Sequence, residues 1–338
     1  MHHISRWDLD KTYLRTEFDT VRDLVRTAFE RADEKRTNPG AATLLRELAR
    51  SGVGIHILSG SPEQMRRRLE DKLRLDGIAW ESFTLKPNLQ NMLRLRFRAL
   101  RDQLGYKLPA LLRLRVLAGE EVKGVRETLF GDDAEADAFV YSLYADITAG
   151  RIGQEKAHEI LEKGRVYEDV LEATLQDLRV IQGTSPEPVV ERILIHLEQQ
   201  TAPRNFHVYG MRVVPFYNYL QAAFVMHEDG RLKSDSVLRV GIEMVTQHRF
   251  DGDALARSYH DLGKRGHLAG TKVEELAPAL VELEKQNVPA KEELRRMVDM
   301  LPEYAKQAAD RFVPPDEGEP PDYLALVTKH NPRKKKKR

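Results

Sequence analysis

Two aspartates near the start of the chain have the spacing that phosphoryl chemistry needs. The stretch RWDLDKTYL contains Asp8, Asp10 and Thr12. An aspartate can attack a phosphoryl group and form an aspartyl-phosphate, which splits one difficult displacement into two easier ones. A second carboxyl two residues on can protonate the leaving oxygen and then activate water, while Thr12 supports the loop through local hydrogen bonds. An ordinary turn after a strand is the alternative interpretation.

Phosphoryl transfer also needs groups that hold the phosphate oxygens. In HILSGSP, Ser59 follows an apolar run and precedes a predicted helix, so its hydroxyl and nearby amides, including that of Gly60, can hold one oxygen at the helix N-terminus. A fixed cation must offset the charge on the transferred group. Lys107 in GYKLPALLRLR supplies it, and Lys86 in TLKPN is the competing choice. Turn chemistry and solvated surface lysines are the alternatives.

A third acidic stretch, FGDDAEADAFVY, is suited to binding a metal ion. It contains Asp132, Asp133 and Asp137. Mg²⁺ takes oxygen ligands, usually one or two carboxylates together with phosphate and waters. A carboxylate nucleophile approaches a phosphate dianion readily only when a cation offsets their repulsion. The chemistry of Asp8 therefore needs this stretch, although an acidic helix start favoured by the helix dipole is the alternative.

The first 150 residues alternate short apolar runs with longer amphipathic stretches, which predicts an α/β domain with a parallel sheet. The predicted strands are HHISRW, VGIHILS, IAWESFTL and RETLFG. The predicted helices are EFDTVRDLVRTAFERADEK, AATLLRELARSG and SPEQMRRRLEDKLRLDG, the last with Ser61 as its cap and Pro62 just inside its start. Because ligands bind outside the carboxyl ends of such strands, the polar loops should gather at one crevice.

After Gly150 the sequence has helical periodicity and almost no strand signal. We therefore expect a phosphatase-like domain over 1–150, an all-α domain of unknown role over 151–312, and a linker with a disordered basic tail over 313–338. The aromatic residues of YGMRVVPFYNYLQAAFVM are interpreted as core or as a domain interface.

Composition narrows the class of protein. The 338 residues carry a net charge of +1 and no cysteine, which excludes disulfides, thiolate metal sites and cysteine nucleophiles and suggests no specific nucleic-acid partner. No apolar run is long enough for a transmembrane helix, and the N-terminus lacks the apolar region of a signal peptide. A cytoplasmic protein is expected.

The four motifs WDLDKT, LSGSP, YK and FGDDAEAD resemble, in type and order, those of the haloacid dehalogenase superfamily. The resemblance implies a Rossmann-like parallel sheet with little or no cap domain. It implies that Asp8 is the nucleophile and Asp10 the acid and base, with Ser59 and Lys107 on the phosphoryl group and Thr12, Gly60 and Lys86 near the substrate. The implied Mg²⁺ ligands are Asp8, Asp10, Asp132 and Asp137, with Asp133 as a further choice.

A closer resemblance, over about residues 3–150, is to the phosphatidate phosphatase catalytic domain of yeast actin-patch proteins. It rests on NPGAATLLRELARSGVGIHILSGSPEQM, YKLPALL and FGDDAEADAFVY. Gly60 stands where that family has asparagine, and TLKPN replaces a leucine-arginine-aspartate stretch. The resemblance implies Mg²⁺-dependent hydrolysis of phosphatidate or another bulky phosphomonoester.

Alternatives remain open for substrate and role. A basic stripe of Arg94, Arg98 and Arg101, together with the C-terminal RKKKKR, suits contact with an anionic membrane surface. A solvated helix face and a solvated tail are the alternative interpretations. A phosphatase for soluble or protein-borne phosphate would not need these residues. A catalytically silent scaffold whose helical half binds a partner is the alternative from a different class.

Overall fold

The computed structural model describes residues 3–15, 36–86, 100–183, 186–315 and 318–330. A six-stranded sheet with the order β3-β2-β1-β4-β5-β6 lies at its centre, and every neighbouring pair is parallel. The strands are β1 His3–Trp7, β2 Val53–Pro62, β3 Ser82–Lys86, β4 Arg126–Asp132, β5 Val190–His196 and β6 Val213–Phe216. The direction of strand addition reverses at β1, as in a Rossmann-like doubly wound fold. Folds of this kind are expected to bind their ligands beside the strand at which the order reverses.

Helices cover both faces of the sheet. They are α1 Ala41–Arg50, α2 Arg66–Leu75, α3 Leu100–Leu104, α4 Lys107–Ala118, α5 Asp137–Thr148, α6 Gln154–Lys163, α7 Glu168–Gly183, α8 Tyr219–Glu228, α9 Ser234–His248, α10 Gly252–Lys264, α11 Leu276–Glu284, α12 Lys291–Ala309 and α13 Tyr323–His330. One apolar core joins the sheet to α1, α2 and α8–α12, and a second joins it to α3–α7 and α13. The central strands are therefore buried on both faces, as is usual for parallel sheets.

The four strands predicted in the first 150 residues are confirmed as β1 to β4. The capping role predicted for Ser61 is wrong, because β2 continues to Pro62 and α2 begins only at Arg66, after a 3₁₀ turn. The Ser61 hydroxyl instead donates to Asp10. The helix predicted over 17–35, residues Arg94 and Arg98, and the basic tail lie outside the described residues.

The prediction that the second half contains only helices is wrong. Residues 190–196 and 213–216 form β5 and β6, which extend the sheet beyond β4. The run over 193–197, ILIHL, is apolar except for His196 and contains two isoleucines. A short run of this kind suits a buried parallel strand but carries no alternation that separates it from a buried helix. The sheet therefore continues past residue 150 instead of ending there.

The aromatic stretch of the second half supplies core residues, as predicted. Phe216, Tyr219 and Phe224 are buried, and Phe216 belongs to β6 while the other two belong to α8. Tyr217 is the exception, since it is 45% exposed.

The expectation of a linker and disordered tail over 313–338 is wrong for residues 323–330, which form α13. Tyr323 is 1% exposed, its ring packs edge-on against Phe139 at 5.3 Å, and its hydroxyl donates to Asp146 Oδ2 at 2.5 Å. Tyr323 and Val327 lie one helical turn apart and are both buried. These two side chains pack α13 against the apolar core that α3–α7 form with the sheet.

Within the described part of the chain, no helix is both long and apolar enough to cross a membrane.

Candidate active site

Four carboxylates converge where β1 and β4 end. One oxygen from each of Asp8, Asp132, Glu135 and Asp137 lies within 4.8 Å of the others. Asp8 follows β1, Asp132 ends β4, and Asp137 begins α5. Because β1 and β4 are neighbouring parallel strands, their carboxyl ends necessarily meet. This cluster, which we call the carboxylate cluster, lies where the fold is expected to bind a ligand.

Backbone contacts fix the loop after β1. The Asp8 amide donates to Phe130 O at 3.0 Å and so continues the pairing with β4. Lys11 then adopts a left-handed conformation, with φ of 60°, and turns the chain. The side-chain amide of Asn38 donates to Lys11 O at 2.9 Å and to Thr12 O at 2.7 Å, and the Tyr219 hydroxyl also donates to Thr12 O. Thr12 Oγ1 donates to Asp8 Oδ2 at 3.4 Å, so the loop holds the Asp8 carboxylate.

A tight turn after β4 brings the other acids together. Asp132 Oδ1 accepts hydrogen bonds from the amides of Ala134 at 2.6 Å and Glu135 at 3.0 Å. Asp137 Oδ2 accepts from the Asp132 amide at 3.2 Å. A Cβ at Gly131 would lie 2.6 Å from the Cβ of Asp137. Only glycine therefore allows the start of α5 to approach β4 this closely.

Lys107 is the cation of the cluster. It begins α4 and is completely buried, and its Nζ lies 2.5 Å from Asp137 Oδ1, 2.9 Å from Glu135 Oε2 and 3.4 Å from Asp8 Oδ1. Burial alone lowers the pKa of Lys107, but the carboxylates of Asp137, Asp8 and Glu135 raise it well above its ordinary value. Lys107 therefore remains charged in the folded protein.

Three acids of the carboxylate cluster, Asp8, Asp132 and Asp137, lie in an environment that resists their ionisation. Burial raises the pKa of Asp8 well above its usual range, and the neighbouring carboxylates add to this effect. Burial and nearby acids also raise the pKa of Asp132 strongly and that of Asp137 to about 6. One lysine faces four acids, so the fully ionised cluster carries an excess of negative charge.

The donor set fits a divalent metal ion. Asp8 Oδ1 and Asp132 Oδ2 are buried and accept no hydrogen bond from the described residues, and the ion-pair contact of Lys107 Nζ with Asp8 Oδ1 is long at 3.4 Å. A buried carboxylate oxygen without a hydrogen bond is costly. The cluster offers oxygen ligands alone, the type preferred by Mg²⁺, Ca²⁺ and Mn²⁺. A cation held between these oxygens would offset both the excess charge and the unsatisfied acceptors.

Asp10 follows β1 by three residues and contacts the end of β2. Its Oδ2 accepts hydrogen bonds from Ser59 Oγ at 3.2 Å and Ser61 Oγ at 2.7 Å. The space next to Gly60 is open, because a Cβ there would meet no described atom within 4 Å. The structure thus brings together Asp10 and Ser59, which were both predicted site residues. They lie at the same edge of the sheet as the carboxylate cluster.

Asp133 and Lys86 have other surroundings. The Asp133 carboxylate accepts from the amides of Gln199 at 2.8 Å and Thr201 at 2.9 Å, so it ties the end of β4 to the loop after β5 and does not join the cluster. Lys86 ends β3, and its Nζ lies 5.8 Å from the ring centroid of Tyr106. Of the two lysines considered, Lys107 is the one that contacts the carboxylates.

Two residues of this region, Glu135 and Ser61, had no role at the site predicted from the sequence. Glu135 lies within the acidic stretch, three residues after Asp132, and the local turn directs it to Lys107. Ser61 lies two residues after Ser59 on β2, a spacing that places both side chains on one face of a strand. The sequence signals for these two residues were the three-residue spacing from Asp132 to Glu135 and the two-residue spacing from Ser59 to Ser61.

No protein-family model, no curated protein and no solved structure matches this chain.

Proposed function

We propose that the chain is a Mg²⁺-dependent phosphomonoester hydrolase of the haloacid dehalogenase type, which acts through an aspartyl-phosphate on Asp8. The observation that carries the proposal is the buried contact between Lys107 and the carboxylate cluster at the ends of β1 and β4. In a purely structural ion pair one acid balances one base, whereas here four acids face one lysine, Lys107, among the described residues. Such an imbalance in a buried cluster of titratable groups is typical of functional sites.

In the first step, a carboxylate oxygen of Asp8 attacks phosphorus while the bond from phosphorus to the leaving oxygen breaks. Asp10 gives its proton to that oxygen, so the alcohol departs neutral. Lys107 and the Ser59 hydroxyl hold the phosphoryl oxygens as charge shifts onto them. The position of Lys107, 3.4 Å from Asp8 Oδ1, supports this role.

In the second step, water attacks phosphorus and the bond to Asp8 breaks. Asp10, now a carboxylate, accepts the proton of the water. The products are inorganic phosphate and free Asp8, and Asp10 is again protonated for the next turnover. Because the Asp8 loop is fixed by Asn38 and Tyr219, the same carboxylate returns to the same place.

The metal would be held by Asp8, Asp132 and Asp137, with Glu135 as a fourth oxygen donor. When bound, Mg²⁺ offsets the repulsion between the Asp8 carboxylate and the phosphate dianion. Glu135 also accepts from Gln103 at 2.6 Å, which fixes its carboxylate beside Lys107. In this proposal the side chains of Asp10 and Asp133 do not bind the metal.

The substrate class proposed is a phosphomonoester, with phosphatidate as one member to be tested. The sequence expectation of little or no cap rests partly on residues 16–35, which lie outside the described residues. Support for a lipid substrate comes from the sequence resemblance.

The test is phosphate release from 4-nitrophenyl phosphate by purified protein, with and without Mg²⁺, followed by a panel that includes benzyl phosphate, a phosphopeptide and phosphatidate. We expect activity that requires Mg²⁺ and is lost in Asp8→Asn. Asp71→Asn is the matched control, because Asp71 lies on α2 and pairs with Arg74 at the surface.

Folded wild-type protein that hydrolyses no member of the panel would contradict the proposal and would favour the scaffold alternative. Activity that persists in Asp8→Asn would also contradict it, because the nucleophile would then be a different group.

A further inference from the structure

Two serines at the end of β2 share one oxygen of Asp10. Ser61 Oγ donates to Asp10 Oδ2 at 2.7 Å, and Ser59 Oγ donates to the same atom at the longer distance of 3.2 Å. Both serines are buried, with Ser61 2% exposed. The shorter and better formed of the two hydrogen bonds therefore comes from Ser61, for which the sequence predicted only a helix-capping role.

A serine hydroxyl has a single proton to donate. In the proposed reaction Ser59 directs that proton to a phosphoryl oxygen of the substrate, so it must release Asp10 when substrate binds. Ser61 has no such second task. Its hydroxyl therefore keeps its hydrogen bond to Asp10 in the substrate complex.

The local shape of β2 supports this division. The pairing of β2 with β3 has an irregularity between Ser59 and Pro62, and the Ser61 amide donates to Ser59 Oγ at 3.0 Å. This contact orients the Ser59 hydroxyl and fixes the two side chains relative to each other.

We propose that Ser61 is a positioning residue that holds Asp10 for proton transfer to the leaving group, an inference that rests on the proposed function. Asp10 is the group that touches the reacting atoms, and Ser61 acts through it. The contribution of Ser61 consequently depends on how much the leaving oxygen needs a proton. An alkyl phosphate needs it strongly, and a nitrophenyl phosphate needs it little.

The test compares kcat/KM for benzyl phosphate, which has a poor leaving group, with that for 4-nitrophenyl phosphate, which has a good one. Since kcat/KM reports the steps through departure of the alcohol, a slow second step does not obscure the comparison. The variants are Ser61→Ala, which deletes the hydroxyl, and the pair Ser61→Thr and Ser61→Val, which have nearly the same shape and differ in the hydroxyl. Circular dichroism melting checks that each variant folds.

For Ser61→Ala and Ser61→Val we expect kcat/KM to fall about tenfold or more with benzyl phosphate, a part of the whole effect of a general acid. With 4-nitrophenyl phosphate the fall should stay within about threefold, because little protonation is needed. Ser61→Thr should keep most of the activity toward both esters.

An equal loss with both esters, or no loss with either, would overturn the role of Ser61 while leaving the proposed function standing, provided that wild type is active and Asp8→Asn is inactive. Wild-type protein that is inactive on both esters and on the rest of the panel would instead contradict the proposed function, and the role of Ser61 with it.

Discussion

At the scale of single residues, the site depends on a few atoms that must approach unusually closely. The carboxylate of Asp137 contacts Lys107 and also accepts from the Asp132 amide. Both contacts require the start of α5 to pass directly over Gly131. Gly131, which has no side chain, thus allows Asp137 to reach the other acids of the cluster.

Replacing Gly131 by alanine should separate Asp137 from the cluster. The added Cβ would lie 2.6 Å from the Cβ of Asp137, so we expect a destabilisation of about 1–3 kcal/mol and the loss of Mg²⁺-induced stabilisation. Chemical denaturation with and without Mg²⁺ measures both effects. Gly183→Ala is the control, since a Cβ there meets no described atom within 4 Å, and equal behaviour of the two variants would contradict this account.

Metal binding should weaken on acidification. The pKa of Asp137 is raised to about 6, and those of Asp8 and Asp132 are raised well above their ordinary values, chiefly by burial. Metal binding must therefore displace protons, and it is lost as the pH falls through the raised pKa values. At a Mg²⁺ concentration of about 100 Kd, the stabilisation at high pH should be about 2.7 kcal/mol.

The measurement is the Mg²⁺-induced change in the free energy of unfolding between about pH 8 and pH 5. We expect the increment to shrink toward zero on acidification and to be absent in Asp132→Asn at every pH. An increment that is constant with pH would show that these carboxylates do not bind the metal.

At the scale of elements, β1 and β4 are joined by charge as well as by backbone pairing. Glu127 on β4 is fully buried, and its carboxylate accepts from Arg6 Nε at 2.8 Å, from Arg115 Nη1 at 3.1 Å and from the Tyr144 hydroxyl at 3.2 Å. This buried network ties α4 and α5 to the two strands that carry Asp8 and Asp132. It therefore fixes the frame on which the cluster depends.

Replacing Glu127 by leucine should cost about 3–5 kcal/mol, because two guanidinium groups would lose their buried partner. Urea denaturation measures the loss. Glu120→Ala is the control, since Glu120 and Lys123 form an exposed pair and its removal should change the free energy of unfolding by less than about 1 kcal/mol. Similar losses in the two variants would contradict the importance of the network.

The same network predicts how the free energy of unfolding responds to acid. Burial alone raises the pKa of Glu127, but Arg6 and Arg115 lower it below its ordinary value. The stabilisation that ionised Glu127 provides is therefore fully present above the pKa that Glu127 has in the unfolded chain. It is lost as the pH falls through the lower pKa that Glu127 has in the folded protein. Glu127→Leu should lack this part of the acid dependence.

At the scale of the whole molecule, the sheet draws on both halves of the sequence. β5 and β6 continue the sheet, and Tyr219 from α8 reaches back to the Asp8 loop. The C-terminal helix α13 also packs on α5 through Tyr323 and Phe139. Parts of the chain far from the motifs therefore support the site.

Truncating Tyr323 should consequently destabilise the protein as a whole. We expect Tyr323→Ala to cost about 3–5 kcal/mol, because a fully buried ring leaves a cavity. Thermal and chemical denaturation test this, with Tyr167→Ala as the control, since Tyr167 is 59% exposed. A melting curve for Tyr323→Ala that matches wild type would indicate that α13 is dispensable.

The sequence predicted the convergence of Asp8, Asp132 and Asp137 with a lysine, either Lys107 or Lys86, because these residues lie at strand ends or helix starts and parallel strands end at a common edge. The sequence did not show that Glu135, and not Asp133, belongs to the carboxylate cluster. The direction of each side chain depends on a turn stabilised by Asp132 Oδ1. The sequence missed β5 because a short apolar run has no distinguishing period. It also missed Ser61, whose partner Asp10 is distant in sequence.

The most direct test of the account is to look for phosphate on Asp8 itself. Asp10→Asn would be mixed with 4-nitrophenyl phosphate and Mg²⁺, quenched in acid and mapped by peptide mass spectrometry. Because this ester needs little protonation but the second step needs a base, the account predicts that a phosphoryl group accumulates on Asp8 and is absent from Asp8→Asn. Turnover by wild type without a phosphoryl group on Asp8 in this variant, or with one on another residue, would contradict it.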